Sequence, residues 1–514
     1  MKNKRIIAGL IAGTALACSA QAAPLRFNPD AFTHGSLVMP DGTEVAYKAY
    51  EGIFYVTNVE DSTYQTLNIY VPERMADLPR VPILLRTYVG GYAASTAKTP
   101  SAADATGRAL QEGYVVCIPG SRGSNSTVDR NGVTLYTGTA PNGLLDLKAA
   151  VRYLRYNDEL IPGDSELIFT DGTSAGGAMS SLLGATGNSR DYEADLARMG
   201  AADARDDVFA AICYCPITDL NHADMEYEWL YGCTNTGVRG LSDAQIVISE
   251  ELAAECPAYI NSLGLVDKNG AAITADNYKE YLKTFLIASA HRALQEGCEI
   301  PDTIGFTFYK DKSGPMGPGP GGRPDGMRPM RGQAPGNGDG RQAPSFGPGN
   351  APRFNKTSDF VTALDLDKYL SYVATVTPLK TPPAFDQMGV LIDTPSPENK
   401  VFGNDRGEAA NFTDFSLRHR LNDPKAKLDK DMVRRVEVMN PMNYIGTDRS
   451  TVAPNWYIRH GAKDRDTSFL VPINLATKLQ NAGKNVDFAL PWNRPHSGDY
   501  NLDDLFRWIS STIR

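Results

Sequence analysis

The stretch Gly172-Thr173-Ser174-Ala175-Gly176-Gly177 combines residue types and spacing that suit nucleophilic chemistry. It is a GxSxG set between a strand-like run, ELIFT (166–170), and a helix-like one, AMSSLLG (178–184). Small flanking residues permit the tight strand-to-helix turn that exposes a serine hydroxyl, and the helix N-terminus behind it favours developing negative charge. A serine hydroxyl is a poor nucleophile until a base takes its proton, so a histidine is required. Of the six in the chain, His496 in PWNRPHSGD (491–499) follows the final strand-like run. His34, His222, His291, His419 and His460 precede the candidate acid or fall outside the strand pattern. That acid belongs between serine and histidine at a strand end, where NWYIRHGAKDRDTSF (455–469) offers Asp464 and Asp466. One of them, held against His496, would fix its tautomer and stabilise the imidazolium, leaving the other for substrate; spacing alone does not choose. Two backbone donors complete such a site: the amide of Ala175, and one from Val89-Gly90-Gly91-Tyr92 after an early strand. Taken singly, these features are also a glycine-rich strand exit, a surface histidine and a plain turn. Their chain order and strand-end placement together are what speak for chemistry.

Such groups meet only if parallel strands deliver their loops to one edge of a sheet. VPILLRTYV (81–89), LQEGYVVCIPG (110–120), ELIFT, DVFAAICYCP (207–216), NWYIRHG (455–461) and NVDFALPW (485–492) read as strands. DLKAAVRYLRYN (146–157), LVPINLATKLQNAG (470–483) and LDDLFRWISSTI (502–513) have helical spacing. Alternation of this kind predicts a mostly parallel sheet covered on both faces. The core is expected in two parts, 23–216 and 451–514, separated by an inserted lid or cap at 217–450 whose sequence is helical, Tyr-rich and irregular. Within the insertion, residues 313–353 hold 12 Gly and 9 Pro in 41 positions, too little apolar surface to offset ordering entropy, which predicts a mobile loop.

The N-terminus carries Lys2, Lys4 and Arg5, an apolar run from Ile6 to Ala17 and the small-residue site Ala20-Gln21-Ala22, the pattern of an export signal spanning 1–22. The run is too short to span a bilayer. Cleavage before Ala23 is the favoured reading, with lipid attachment at Cys18 as the alternative. Loss of the signal would take the formal charge from -9 to -12, which argues against a nucleic-acid partner. The other six cysteines lack paired CxxC spacing and the histidines lack ligand spacing, so no metal is expected, and acyl transfer by a Ser-His-Asp set needs no cofactor. A Cys233–Cys256 bridge is open to an exported chain but not required.

Several longer blocks go beyond these general rules: TYVGGY (87–92), IPGD (161–164), GTSAGGA (172–178), YCPITDLNHADMEYEW (214–229), PPAFDQ (382–387), SPEN (396–399), RHGAKDRDTSF (459–469) and PWNRPHSGDY (491–500). On these, over most of its length, the chain resembles the bacterial tannases (tannin acyl hydrolases). The resemblance implies an α/β-hydrolase fold with a large inserted lid, and a serine esterase that cleaves galloyl ester and depside bonds of tannins and simple gallate esters through an acyl-enzyme, releasing gallic acid. It implies Ser174, Asp464 and His496 as the triad, and Gly91 and Ala175 as oxyanion donors. It further implies Lys380, Glu398 and Asp466 as partners of the galloyl hydroxyls, with Ile217 and Pro397 against the ring. Cysteines adjoin the serine and histidine in the fungal tannase and feruloyl esterase family; here those neighbours are Thr173, Pro495 and Ser497. The alternatives are another phenolic-acid carboxylesterase of feruloyl-esterase type, and a non-enzymatic binding protein on a hydrolase scaffold.

Overall fold

The computed structural model describes residues 25–309 and 360–513. Residues 1–22, where an export signal is expected, Cys18 and the Gly/Pro-rich tract 313–353 lie outside the described residues.

The chain opens with β1 (Thr33–Val38), β2 (Glu44–Phe54) and β3 (Thr66–Pro72), followed by β4 (Ile83–Arg86), α1 (Ala105–Gln111) and β5 (Val115–Pro119). A small hairpin, β6 (Thr127–Arg130) and β7 (Val133–Tyr136), precedes α2 (Asn142–Tyr156), β8 (Ile168–Thr173), α3 (Ala175–Ala185), α4 (Glu193–Met199) and β9 (Ala210–Tyr214). Next come α5 (Leu220–Tyr231), α6 (Asp243–Ser262), α7 (Ala275–Gln295), the paired β10 (Phe306–Tyr309) and β11 (Phe360–Leu364), and α8 (Leu366–Val376). The short α9 (Pro397–Val401), α10 (Asp414–Leu421) and α11 (Lys430–Val438) complete this stretch. The sheet resumes with β12 (Asn455–Arg459), α12 (Leu470–Asn481), β13 (Asn485–Ala489) and the closing α13 (Leu502–Thr512).

Nine strands form one sheet in the order β1-β2-β3-β5-β4-β8-β9-β12-β13. The first three pair antiparallel, and every pair from β5 to β13 is parallel. Apart from the edge strand β13, the parallel strands are buried on both faces, and their side chains part by alternation. Leu84, Val116, Phe169, Ile212 and Tyr457 pack with Ala109 and Leu110 of α1 and Leu505, Phe506 and Trp508 of α13. Ile83, Leu85, Cys117, Ile168, Cys213, Trp456 and Ile458 pack with Leu147 of α2, Leu182 of α3 and Leu475 of α12. Everything from α5 to α11 is inserted between β9 and β12, which are neighbours in the sheet. All six described cysteines are free thiols, so Cys233 and Cys256 are not bridged. No helix among the described residues is long and apolar enough to cross a membrane.

Candidate active site

Three strand ends supply the chemical groups. At the end of β8 the chain turns straight into α3, and Ser174 takes φ 62°, ψ -125°, a strained backbone for a residue with a side chain. The turn exists only because its glycines admit close contact: a Cβ on Gly172 would lie 2.2 Å from the Gly176 carbonyl oxygen, and one on Gly176 2.8 Å from that of Val89. The Ser174 amide donates to the Tyr214 carbonyl at 2.9 Å, which fastens the elbow to the end of β9.

Ser174 Oγ and His496 Nε2 are 2.8 Å apart, and His496 Nδ1 lies 2.8 Å from Asp464 Oδ2. Of the two aspartates left open by spacing, Asp464 therefore meets the histidine, while the Asp466 amide donates to Asp464 Oδ1 at 2.8 Å. Asp464 is fully buried and His496 17% exposed. Burial disfavours the Asp464 carboxylate, but His460, His496 and the Asp466 amide outweigh it and hold its pKa well below the ordinary value. Burial likewise opposes a charge on His496, and the facing Asp464 overcomes it, so the imidazole is more basic than usual.

The histidine loop is pressed onto both other loops. A Cβ on Gly498 would fall 1.9 Å from Thr173 Oγ1, and one on Gly461 2.2 Å from the Arg494 carbonyl oxygen. Arg86, at the end of β4, pairs in register with Asp171 on β8 and donates to its carboxylate at 2.5 Å. The same guanidinium donates to both oxygens of Asp499, at 3.0 and 2.6 Å. Arg86 thus ties the strand beneath Ser174 to the loop bearing His496.

The remaining sequence-chosen residues gather around this center. Gly91, at φ 53°, sits where a Cβ would be 3.7 Å from the Pro397 ring. Tyr92 Oη donates to the Ile217 carbonyl at 2.7 Å, and the Ile217 amide approaches the Ser174 carbonyl at 3.4 Å. Glu398 is buried in the first turn of α9, fixed by a capping box between Ser396 and Asn399. Burial raises its pKa, the Lys380 ammonium opposes that shift and the Asp466 carboxylate adds to it, so both charges are felt at Glu398. Lys380 Nζ stands 4.3 Å above the Phe385 ring.

Helix α5 explains why HADMEYEW is so particular. Tyr227 Oη accepts from the Lys380 amide at 3.1 Å and donates to the Arg465 carbonyl at 2.6 Å. Tyr231 Oη donates to the Asp464 carbonyl at 3.1 Å. Glu228, buried, holds Arg239 at 2.6 Å, and Arg239 Nε reaches the Lys380 carbonyl at 2.9 Å. One inserted helix therefore braces both the aspartate loop and Lys380. Two groups that sequence reasoning passed over also enter the site. Arg459 pairs in register with Tyr214, so the next residues, His460 and Cys215, come side by side next to Asp464.

A mostly parallel sheet with a serine on a strand-to-helix elbow and a histidine and aspartate on later strand-end loops defines an α/β-hydrolase. The BD-FAE family of α/β-hydrolases matches residues 67–261, while no match was found among curated proteins. Among solved structures, Fusobacterium nucleatum tannase is 36% identical over 95% of this chain and 99% of its own, with a TM-score of 0.77. Lactobacillus plantarum tannin acyl hydrolase is 34% identical over 95% of this chain and 99% of its own, again with a TM-score of 0.77. The same values hold for tannin acyl hydrolase structures in complex with 3,4-dihydroxybenzoate and with ethyl gallate. The chain belongs to the bacterial tannase family, and it is a carboxylic ester hydrolase.

Proposed function

We propose that this protein hydrolyses galloyl esters, releasing gallic acid from hydrolysable tannins and simple gallate esters, with Ser174 as nucleophile. The observation that carries the reading is the unbroken relay of two 2.8 Å contacts from Ser174 Oγ through His496 to buried Asp464. Ser174 attacks the ester carbonyl as His496 Nε2 takes its proton, and Asp464 stabilises the resulting imidazolium. The tetrahedral oxyanion is received by the amides of Gly91 and Ala175, the latter the first amide of α3. Collapse breaks the ester bond, and the imidazolium gives its proton to the departing alcohol. Water then attacks the galloyl-enzyme with His496 as base, regenerating Ser174.

The acid specificity follows from the charges beside the relay. Glu398 and Asp466 accept hydrogen bonds from phenolic hydroxyls, Lys380 donates one, and Ile217 and Pro397 flank the ring. A buried acceptor left unpaired costs about 1–3 kcal/mol, so each missing ring hydroxyl lowers kcat/KM about 10- to 100-fold. The inserted segment 217–450 acts as the lid over this pocket, and residues 1–22 direct export. That ethyl gallate and 3,4-dihydroxybenzoate occupy tannin acyl hydrolase structures supports the same acid class here. The test is a rate series on the methyl esters of gallate, protocatechuate, 4-hydroxybenzoate and ferulate. The expected order is gallate, then protocatechuate, with little turnover of the other two. Comparable rates on all four would remove the pocket assignment, and preference for ferulate would favour the feruloyl-esterase alternative.

A further inference from the structure

The relay uses one side of Asp464, yet a second imidazole reaches the same oxygen: His460 Nδ1 lies 3.5 Å from Asp464 Oδ2. His460 is fully buried, and among the described residues its ring nitrogens face only the Cys215 thiol and the Asp464 carboxylate, neither in close hydrogen-bond geometry. Buried polar groups are almost always closely paired, so an imidazole held this loosely between a thiol and a carboxylate has donor capacity to spare. The Cys215 thiol is the third group here. The donor atoms of Cys215, His460 and Asp464 all lie within 4.8 Å of one another, and all three residues are buried. Their positions are set by backbone. The Cys215 amide donates to the Arg459 carbonyl at 2.7 Å, the Asp464 amide donates to that of Gly461 at 2.9 Å, and the His460 ring packs edge-on against Phe469 at 5.4 Å.

A sulfur, a nitrogen and a carboxylate oxygen converging on one point form a donor set for a zinc-class ion and not for magnesium or calcium, which prefer all-oxygen shells. We propose that Cys215, His460 and Asp464 bind a thiophilic divalent cation, and that this binding withdraws Asp464 from His496 and switches the esterase off. The switch-off half rests on the triad reading above. Binding releases the thiol proton to solvent and leaves thiolate, neutral imidazole and carboxylate as ligands, with a fourth position open. The ion enters from the substrate side, where Asp466 and His496 are partly exposed and their donor atoms lie within 4.8 Å of those of Asp464. A cation relayed through that outer group reaches the buried one by exchanging Asp466 and His496 for Cys215 and His460.

The test titrates chelator-treated protein with Co2+ in a Cys233→Ser/Cys298→Ser background, since those two thiols are exposed and would bind on their own. A thiolate-to-cobalt charge-transfer band saturating at about one equivalent is expected, displaced by Zn2+, with hydrolysis of methyl gallate falling at least about tenfold in parallel and returning on addition of EDTA. Cys215→Ser and, separately, His460→Gln should lose the band or weaken binding by about 10- to 100-fold relative to the parent, each compared with its own metal-free rate. No band in the parent protein, or an equal band after Cys215→Ser, overturns the site whether or not His460→Gln folds. A band with full esterase activity overturns the switch. A band in a protein that never cleaves methyl gallate keeps the site and overturns the galloyl-ester reading instead.

Discussion

Replacing Asp499 with Asn separates positioning of the base from binding of the substrate. Asp499 stands three residues after His496 and receives two of the hydrogen bonds from Arg86, whose side chain is only 6% exposed. Breaking a buried ion pair by removing one partner costs about 3–5 kcal/mol. Asn retains one acceptor, Asp499 is 17% exposed, and Asp171 still faces the guanidinium, so about 2 kcal/mol of stability should be lost. In a chain of this length that lowers Tm by a few degrees at most. The functional effect should be larger. The remaining holds on the loop that the structure describes include the Cys215 thiol on the Ser497 carbonyl at 3.3 Å and the glycine contacts at Gly461 and Gly498. A shift of about 1 Å in a catalytic base costs on the order of 100-fold in rate. Steady-state hydrolysis of methyl gallate by Asp499→Asn should therefore show kcat reduced about 10- to 100-fold with KM changed less than about threefold. A kcat within about twofold of the parent alongside the lowered Tm would show that Arg86 stabilises the sheet without positioning His496, and would refute the reasoning.

Other perturbations reach different parts of the site. Gly498→Ala places a Cβ 1.9 Å from Thr173 Oγ1 and should cut kcat by at least about tenfold while the far-ultraviolet circular dichroism stays unchanged. In the proposed mechanism the neutral form of His496 is the base, and Asp464 raises its pKa above 6.5 against the effect of burial, so the acid limb of the kcat/KM profile should lie above that value; Asp464→Asn should shift the limb downward as well as lowering kcat. Glu398→Gln removes a buried carboxylate facing Lys380 and should lower kcat/KM on methyl gallate about 10- to 100-fold, and less on methyl 4-hydroxybenzoate. Glu226 is buried, one of its oxygens is unpaired, and burial raises its pKa well above 4.5. It stays protonated in the fold and ionises when unfolded, so its contribution is lost as pH rises from 4.5 toward the folded pKa. Glu226→Gln should accordingly weaken the fall of Tm with pH across that window, read by thermal melts from pH 4.5 upward.

The three residues proposed as the triad stand out in the sequence because each is announced locally. The glycines around Ser174 are needed by its own turn, and Asp464 and His496 follow the last two strand-like runs. Choosing between Asp464 and Asp466 took the resemblance to a family, since two residues at a strand end differ only in where a three-dimensional loop points them. The sheet was read from β4 onward, where buried parallel strands make continuous apolar runs. The antiparallel β1 to β3 are not legible in this way, because β1 at the sheet edge and β2 beside it have many exposed or partly exposed positions that carry no such signature. Cys215 and His460 were invisible as a pair for a different reason. Each is one residue past a strand, 245 residues apart in the chain, and only the register of β9 against β12 puts them together. The brace from α5 to Lys380 and the aspartate loop is likewise a matter of tertiary contact, although HADMEYEW marked it as unusual.

The most direct measurement is gallic acid release from methyl gallate by residues 23–514, compared with the same protein carrying Ser174→Ala. Turnover that vanishes in the Ser174→Ala protein, with its fold intact by circular dichroism, is the predicted result. Undiminished release by Ser174→Ala would contradict the nucleophile, and no release by either protein would contradict the galloyl-ester reading itself.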